Sequence, residues 1–184
     1  MKIVEKIRKI HLQLTVLIDN KLKKKSSVAE ISPSCRLQKG VVISFGKKGA
    51  LHFRNNVKVK VGSVFECQGI IDIGDGSVVG VYNWFQAAGR ITLGRNVIIG
   101  SHCNFIASSH SFSEKGKDFK YQPLNKGDIE IGNNVWIGSH VTILNNVKIG
   151  DDVIIGAHSL VNSDIPSNSI VVGSPARVIK KVWE

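Results

Sequence analysis

The sequence predicts an all-β fold in which short parallel strands stack into a coil. The first observation is an aliphatic residue at every sixth position of the stretch 131–161, namely Ile131, Ile137, Ile143, Ile149, Ile155 and Val161. The second is a glycine directly after four of them, at Gly132, Gly138, Gly150 and Gly156. A period of six drifts around the 3.6-residue turn of an α-helix, whereas a fixed period is typical of stacked repeats. Each hexad is therefore predicted to form one short strand and a bend, with its aliphatic residue in a narrow core.

The composition agrees with a single thin coil. The chain has 184 residues, of which 42% are hydrophobic, only 7% are aromatic and 18 are glycine. It contains no apolar run of about 18 residues, so no membrane span is expected. Cys35, Cys67 and Cys103 lack metal-ligand spacing, which indicates reduced thiols in the cytoplasm. Cys67 also falls on the six-residue phase and is predicted to lie in the core.

The net charge of +11 indicates a polyanionic partner. Coenzyme A, an acidic glycan, a diphosphate-linked lipid and an anionic membrane surface all fit this charge. Nucleic acid fits it as well, but the chain has no helix-turn-helix, zinc-finger or aromatic RNA-binding motif. Nucleic acid is therefore not expected as a partner.

Residues 1–25 are predicted to form a basic amphipathic α-helix. Their apolar residues fall at helical spacing and are surrounded by lysine and arginine. His11 and Gln13 interrupt the apolar run and no small-residue cleavage site follows, so the segment is a poor signal peptide. Two interpretations stay open: the helix packs on a neighbouring coil or subunit, or it lies on an anionic inner-membrane surface.

Residues 26–170 are predicted to form the coil. A turn unit such as Ile-Gly-Asn-Asn-Val recurs through this part, beginning at Phe53, Ile73, Leu93, Ile131 and Ile149. These starting points are 20, 20, 38 and 18 residues apart. Since a three-sided coil of hexads takes about 18 residues, the interval from Leu93 to Ile131 must hold one coil and an insertion.

The insertion is a loop over about 107–128, which is polar and basic and carries three aromatic residues. A long insertion in a regular scaffold is usually a binding loop or a disordered segment. After Pro166 breaks the repeat, residues 171–184 form a short basic tail. This tail is predicted to cap the end of the coil, where open strand edges need covering.

Four motifs, IGNNVWIGSHVTI, VKIGDDVIIGAHSLV, DIP and VVGSPARVIKK, give the chain a specific resemblance. It resembles the hexapeptide-repeat acyltransferases, in particular the galactoside, maltose and nodulation-factor acetyltransferases and the O-acetyltransferases of surface-polysaccharide synthesis. The close resemblance covers roughly residues 90–182. It implies a left-handed parallel β-helix, a homotrimer with sites between subunits, and acetyl-coenzyme A as co-substrate. The implied acceptor is a sugar hydroxyl in capsule, lipopolysaccharide or exopolysaccharide synthesis.

The resemblance implies that His110, at the start of the loop, is the general base. A sugar hydroxyl is a poor nucleophile near pH 7, and histidine is well suited to accept its proton. Many relatives have His-Pro at this point, whereas this chain has His110-Ser111-Phe112. His110 is still predicted to be the general base, but this difference leaves the geometry of the acceptor open.

The resemblance also implies acceptor contacts. Asn83 resembles a polar residue that orients the acceptor, with a solvent-facing corner as the alternative. Tyr82 and Trp84 flank it and are candidates to stack on a sugar ring or to pack between subunits. Trp136 follows the inward Val135 and is predicted to face outward, either beside the pantetheine and acceptor or at a trimer contact.

Coenzyme contacts are implied at two places. The backbone N–H groups of Ser139 and Ala157 match positions that hold the thioester end and the pantetheine arm. Asn162 and Ser163 are also predicted at the coenzyme, but they stand where many relatives have Thr-Lys, so a lysine that meets the coenzyme phosphate is missing. Arg177 and Lys180 in the basic tail are therefore predicted to make the phosphate contacts alone.

His102, His140 and His158 each follow Gly-Ser or Gly-Ala in equivalent repeats. With the loop set aside, they are predicted to stack on adjacent coils about 4.8 Å apart. A metal site like that of the γ-class carbonic anhydrases is one interpretation, but the histidine spacing of those enzymes is absent, so no metal is expected. Other functions left open are N-acetylation of a nucleotide-linked amino sugar and a non-catalytic basic scaffold at a membrane or glycan.

Overall fold

The computed structural model describes residues 16–18 and 28–184, and these form a parallel β-solenoid of about seven turns. Its coil strands are β1 (Val16–Ile18), β2 (Val28–Ile31), β3 (Arg36–Leu37), β4 (Val41–Phe45), β5 (Ala50–Phe53), β6 (Lys58–Val59), β7 (Val64–Cys67), β8 (Ile70–Ile73), β9 (Val78–Val79), β10 (Trp84–Ala87), β11 (Arg90–Leu93), β12 (Ile98–Ile99) and β13 (Asn104–Ile106). The loop then contributes β14 (Ser108–His110), a 3-10 turn (Phe119–Tyr121) and β15 (Leu124–Lys126). The chain continues with β16 (Ile129–Ile131), β17 (Trp136–Ile137), β18 (Thr142–Leu144), β19 (Val147–Ile149), β20 (Ile154–Ile155), β21 (Leu160–Val161), β22 (Ser169–Gly173) and β23 (Ala176–Lys181).

The coil strands make three sheets, one for each side of the solenoid. Sheet A is ordered β1-β4-β7-β10-β13-β18-β21, and sheet B is ordered β2-β5-β8-β11-β16-β19. Sheet C is ordered β3-β6-β9-β12-β17-β20-β22-β23. A complete coil therefore passes through sheets B, C and A in turn. The all-β prediction is confirmed, while the left-handedness of the coil stays a prediction.

The register of sheet B confirms the turn units identified in the sequence. Phe53 is paired with Ile73, Ile73 with Leu93, Leu93 with Ile131, and Ile131 with Ile149. The pair Leu93–Ile131 spans the predicted insertion, so the coil resumes after the loop in the register that it had before.

The core is the narrow space between the three sheets. The hexad residues from Ile131 to Val161 are buried, as predicted. In the earlier coils, Phe65, Phe85 and Phe105 stack with ring centroids 4.8 and 4.3 Å apart. Cys67 is buried in the same core, as predicted, and its desolvation raises the pKa of the thiol to about 12. Such close, regular stacking leaves each inward position a fixed volume.

The N-terminal prediction is wrong where it can be compared. Val16–Ile18 form a strand that pairs in parallel with β4, whereas the sequence predicts a helix over residues 1–25. Backbone pairing with the next coil satisfies N–H and C=O groups that a helix would bond internally. The rest of the predicted helix, with its membrane contact, lies outside the described residues. Within the described ranges, no helix has the length and apolar character needed to cross a membrane.

The basic tail forms a hairpin. Strand β22 joins sheet C in parallel beside β20, and β23 folds back antiparallel to β22. The tail thus extends one sheet of the solenoid at its edge. Its predicted role as a cap over the coil end stays a prediction.

Candidate active site

The predicted loop is a folded arm that leaves the coil at the corner between sheets A and B. Strands β14 and β15 pair antiparallel, with Ser108 opposite Lys126 and His110 opposite Leu124. At the base of the arm, the Gly127 N–H donates to the Ala107 carbonyl at 3.1 Å, and the Ser108 hydroxyl donates to Gln86 Oε1 at 3.0 Å. These contacts fix the hairpin to the coil.

His110 lies at the outer end of β14 and is exposed. Within residues 28–184, its imidazole has no hydrogen bond or ion pair to another side chain or to the backbone. A general base must be able to reach the proton that it takes. The placement of His110 on a fixed hairpin, with its ring open to a ligand, is suited to that task.

The outer part of the arm is organised by Gln122, which is only 5% exposed. Its Nε2 donates to the carbonyls of Glu114 and Lys117 at 3.1 and 2.8 Å, and its Oε1 accepts from the Glu114 N–H at 3.1 Å. The Ser111 N–H also donates to the Pro123 carbonyl at 2.8 Å. The insertion is therefore an ordered arm, and its exposed aromatic side chains are Phe112, Phe119 and Tyr121.

The predicted histidine stack is confirmed. The ring centroids of His102 and His140 are 5.0 Å apart, and those of His140 and His158 are 4.7 Å apart. Tyr82 adds a fourth ring at 5.4 Å from His102, a contact that the histidine repeats do not predict. The sequence does indicate this position, because Tyr82 stands two residues after Gly80, as His102 does after Gly100. We call these four residues the ring column.

The backbone explains where the ring column ends. All four residues have positive φ, between 54° and 60°, because the chain turns sharply at the corner between sheets C and A. The same corner in the preceding coil is Gly62, where a Cβ would lie 2.3 Å from the Tyr82 ring. Glycine at this position therefore leaves room for the Tyr82 ring over the backbone.

The stacking argues against a shared metal ion in the ring column. The rings of neighbouring histidines are nearly parallel, at 9° and 6°, so equivalent nitrogens are about as far apart as the centroids. A metal held by two imidazoles needs nitrogen–metal distances of about 2.0–2.1 Å, hence nitrogens closer than the stacking allows. In the described residues, no group of three or more His, Cys, Asp or Glu side chains is arranged to hold a metal.

Asn83 is placed differently from either sequence interpretation. It is 1% exposed, its Nδ2 donates to the Gly100 carbonyl at 2.9 Å, and its Oδ1 accepts from the Cys103 N–H at 2.7 Å. The side chain thus joins two coils and does not face solvent. The alternation of the strand predicts this burial, since Asn83 is two residues before the buried Phe85 and points inward as Phe85 does. We therefore leave Asn83 out of the acceptor site.

Trp84 and Trp136 lie on different outer faces of the solenoid. Trp84 is on sheet A, opposite Asn104 in the next coil, and is partly exposed. Trp136 faces outward from sheet C, as predicted, between Ile98 and Ile154 of the adjacent coils. One chain therefore does not bring Trp84 and Trp136 together, and their roles stay predictions.

Two backbone donors stand free at the corner between sheets C and A. The Ser101 N–H donates to Ser139 Oγ of the next coil at 3.1 Å. The residue one coil further is Ala157, which has no hydroxyl, so the Ser139 N–H lacks the equivalent acceptor. Neither the Ser139 N–H nor the Ala157 N–H has a hydrogen-bond acceptor within residues 28–184. The corner thus presents two N–H groups that can bind carbonyl oxygens of a ligand.

The structure brings three of the four predicted end-of-coil residues together. Asn162, Ser163 and Arg177 line one cavity of about 420 Å³, whose other lining residues are Asp164, Ile165, Val171, Ala176 and Val178. Asp164 is partly engaged, because its carboxylate accepts from the Lys148 N–H at 2.8 Å. Lys180 does not line the cavity but stands opposite Ile170 on β23.

His110 and the two free N–H donors are separated within one chain. His110 projects from the corner between sheets A and B, whereas Ser139 and Ala157 lie at the corner between sheets C and A. Sheet A lies between these two corners.

Comparison with known proteins agrees with the fold. The family model "Bacterial transferase hexapeptide (six repeats)" matches residues 128–163. The putative lipopolysaccharide biosynthesis O-acetyl transferase WbbJ of Escherichia coli (strain K12) is 32% identical over 152 residues, covering 74% of this chain and 77% of that protein. The galactoside O-acetyltransferase of Escherichia coli (strain K12) is 41% identical over 92 residues, covering 50% of this chain and 44% of that protein. The match thus spans less than half of the galactoside enzyme.

A solved structure of an acetyltransferase is similar to this fold. The hexapeptide-repeat containing acetyltransferase VCA0836 of Vibrio cholerae O1 biovar eltor, complexed with acetyl coenzyme A, is similar with a TM-score of 0.59 and 28% identity. The similarity covers 73% of this chain and 69% of that one. The repeat, the register of the coils and the relationship to WbbJ together show that the chain belongs to the hexapeptide-repeat acetyltransferase family.

Proposed function

We propose that this enzyme transfers an acetyl group from acetyl-coenzyme A to a sugar hydroxyl in the synthesis of a surface polysaccharide, with His110 as general base. The observation that carries the proposal is the exposed, unpaired imidazole of His110 on an arm fixed by hydrogen bonds. The relationship to an O-acetyl transferase named for lipopolysaccharide biosynthesis and to a galactoside O-acetyltransferase supports the acceptor class.

The residues divide the chemistry as follows. His110 takes the proton of the sugar hydroxyl while the hydroxyl oxygen attacks the thioester carbonyl carbon. The π electrons of the carbonyl move to the carbonyl oxygen. The Ser139 N–H donates to the resulting oxyanion, which is the charge that must be stabilised. When the C=O bond re-forms, the C–S bond breaks, and the departing coenzyme thiolate receives the proton held by His110. A positioned base of this kind contributes about 10²–10⁴-fold in rate.

In this proposal, the coenzyme binds along the corner between sheets C and A and reaches the cavity at the end of the coil. The Ser139 and Ala157 N–H groups are free to bind the thioester and pantetheine carbonyls. The cavity lined by Asn162, Ser163 and Arg177 offers a cation and polar groups to the nucleotide end. Lys180 on the exposed edge strand supplies a second cation near this end of the chain.

We further propose that the site forms between two subunits of a homotrimer. Because a single chain places His110 and the free N–H groups at different corners, a complete site needs His110 from one subunit and Ser139 and Ala157 from the next. Tyr82, Trp84 and Trp136 are exposed aromatic surfaces beside these corners and are available to pack on the acceptor, the coenzyme or the neighbouring subunit.

The test is acetyl transfer from labelled acetyl-coenzyme A to galactosides, polysaccharide repeat-unit oligosaccharides and nucleotide-linked amino sugars. His110→Ala is expected to lower kcat by about 10²–10⁴-fold. Ser109→Ala is the matched control, because Ser109 is the exposed neighbour on the opposite face of β14. Unchanged transfer by His110→Ala would contradict the proposal.

The same assay separates oxygen from nitrogen as the acceptor atom. An acetyl ester is released by mild alkali, whereas an acetamide is retained. Label that moves only to an amino sugar and survives alkali would replace the O-acetyltransferase proposal with N-acetylation. A protein that neither binds acetyl-coenzyme A nor transfers label would instead be a non-catalytic scaffold.

A further inference from the structure

We propose that the acceptor carries an anionic group next to the hydroxyl that is acetylated, and that Lys126 binds this group. This inference rests on the proposed function and specifies that the acceptor is negatively charged. It follows from the register of the arm, from the lack of a carboxylate partner for Lys126 among residues 28–184, and from the charges around His110.

The register places Lys126 on the same face of the arm as His110. In an antiparallel pair, residues directly opposite each other and residues two apart along a strand point to the same face. Since His110 is opposite Leu124 and Ser108 is opposite Lys126, these four residues share one face. Ser109 and Asn125 form the other face.

Only three of the four residues on the His110 face are open to a ligand. Ser108 is 8% exposed and is bonded to Gln86, whereas His110, Leu124 and Lys126 are exposed. Lys126 is the diagonal neighbour of His110, and such neighbours lie about 7–8 Å apart. An anion bound by Lys126 would therefore belong to the same sugar as the reacting hydroxyl or to the adjoining one.

Among residues 28–184, no carboxylate forms an ion pair with Lys126. The ion pairs of the described residues are His52–Glu30, Arg54–Asp72, Lys117–Glu114 and Lys148–Glu130. None of them involves Lys126. Across residues 107–128, the four lysines Lys115, Lys117, Lys120 and Lys126 outnumber the three acids Glu114, Asp118 and Asp128. The acid nearest to Lys126 in the sequence is Asp128, and its Oδ1 accepts from the Arg90 N–H at 2.9 Å. The surface near the proposed base thus has an excess of positive charge that a neutral sugar would not use.

The lysine ammonium suits two kinds of anion. It is a compact charge with three donors, and it binds either carboxylate or phosphate oxygens. The acceptor is accordingly an acidic sugar of the uronic acid type or a sugar linked to phosphate. Both share anionic oxygens beside a free hydroxyl, and the experiment separates them.

The experiment compares kcat/KM for three matched acceptors: methyl galactoside, methyl galacturonoside and galactose 1-phosphate. The wild-type enzyme is expected to prefer at least one anionic acceptor over methyl galactoside by about 10-fold or more. Lys126→Gln is expected to abolish most of this preference, chiefly by raising KM for the anionic acceptor. The preference should also fall as salt is added, since the contact is exposed.

Lys115→Gln is the matched control, because it removes one charge from the same arm at a position outside the hairpin strands. It is expected to keep the preference for the anionic acceptor. A preference for galacturonoside identifies a carboxylate acceptor, and a preference for galactose 1-phosphate identifies a phosphate-linked one. Equal use of all three acceptors by the wild type, or a preference that survives Lys126→Gln, overturns the proposal.

The failure of this inference is distinguishable from the failure of the proposed function. Transfer that depends on His110 but shows no preference for charge leaves the O-acetyltransferase intact and removes only the role of Lys126. Transfer that is indifferent to His110→Ala, or absent with every acceptor, removes both. Thermal unfolding of each variant shows whether a loss of activity reflects a loss of folded protein.

Discussion

At the scale of single residues, one missing hydroxyl leaves the Ser139 N–H free for the proposed contact with the coenzyme. Ser139 Oγ accepts a hydrogen bond from the Ser101 N–H, whereas Ala157 has no hydroxyl that could accept one from the Ser139 N–H. Ala157→Ser would add an acceptor for the Ser139 N–H. We expect this variant to lower kcat by about 10²-fold, as the loss of an oxyanion donor does in other enzymes.

The measurement for Ala157→Ser is steady-state kinetics with varied acetyl-coenzyme A. Ala157→Gly is the control, because it also changes the side chain but adds no hydroxyl. If the serine and glycine variants behave alike, the free Ser139 N–H has no part in catalysis.

Residue positions were predictable where periodicity alone fixes them. The six-residue phase identified the core hexads, and the Gly-x-His repeats identified three members of the ring column. The resemblance to a family residue predicts an acceptor contact for Asn83, whereas the alternation that turns Phe85 inward predicts that Asn83 points inward too. The histidine repeats do not include Tyr82 in the ring column, because a tyrosine stands where the later coils have histidine.

At the scale of elements, the arm depends on one buried amide. Gln122 holds three backbone groups of residues 114–117 and is therefore a positioning residue for the arm that carries His110. Gln122→Ala leaves these groups without their partner, which is costly for buried polar atoms. We expect kcat to fall by about 10-fold, with little change in KM for acetyl-coenzyme A.

Limited trypsin digestion provides a second readout for Gln122→Ala. Lysines of the arm should be cleaved faster once the arm is loosened, because proteolysis follows local opening. Asn125→Ala is the control, since Asn125 is an exposed arm residue on the face opposite His110. An arm that resists trypsin as well as the wild type does would mean that Gln122 does not order it.

The strands of the coil could be predicted, whereas those of the arm could not. Coil strands repeat an inward aliphatic residue, and the intervals between turn units gave the insertion its place and length. Strands β14 and β15 have the sequences Ser-Ser-His and Leu-Asn-Lys, which carry no alternation of apolar and polar residues. They form because the hairpin is closed by Gln122 and by the Ser111–Pro123 backbone bond.

At the scale of the whole molecule, a site shared between subunits has a kinetic signature. His110→Ala and Ala157→Ser impair opposite halves of the proposed site. When the two chains are co-expressed, some sites combine the intact His110 of one with the intact Ala157 of the other. With random assembly, about a quarter of the sites in a closed ring are of this kind.

Co-expression should therefore recover about a quarter of the wild-type kcat per site, well above either variant alone. Mixing separately purified, non-exchanging trimers is the control. Activity no greater than the sum of the two variants would place the whole site within one chain. The sequence predicts the stacking of coils within a chain, but periodicity does not constrain the outward residues that decide how chains associate.

The pairing of Leu93 with Ile131 means that the scaffold is continuous across the arm. The arm leaves and returns through neighbouring residues, joined by the bond between Gly127 and Ala107. Its length and sequence can consequently drift without repacking a single core side chain. If the arm selects the acceptor as proposed, a change of substrate requires the replacement of this short segment only, while the coil and its proposed coenzyme contacts are kept.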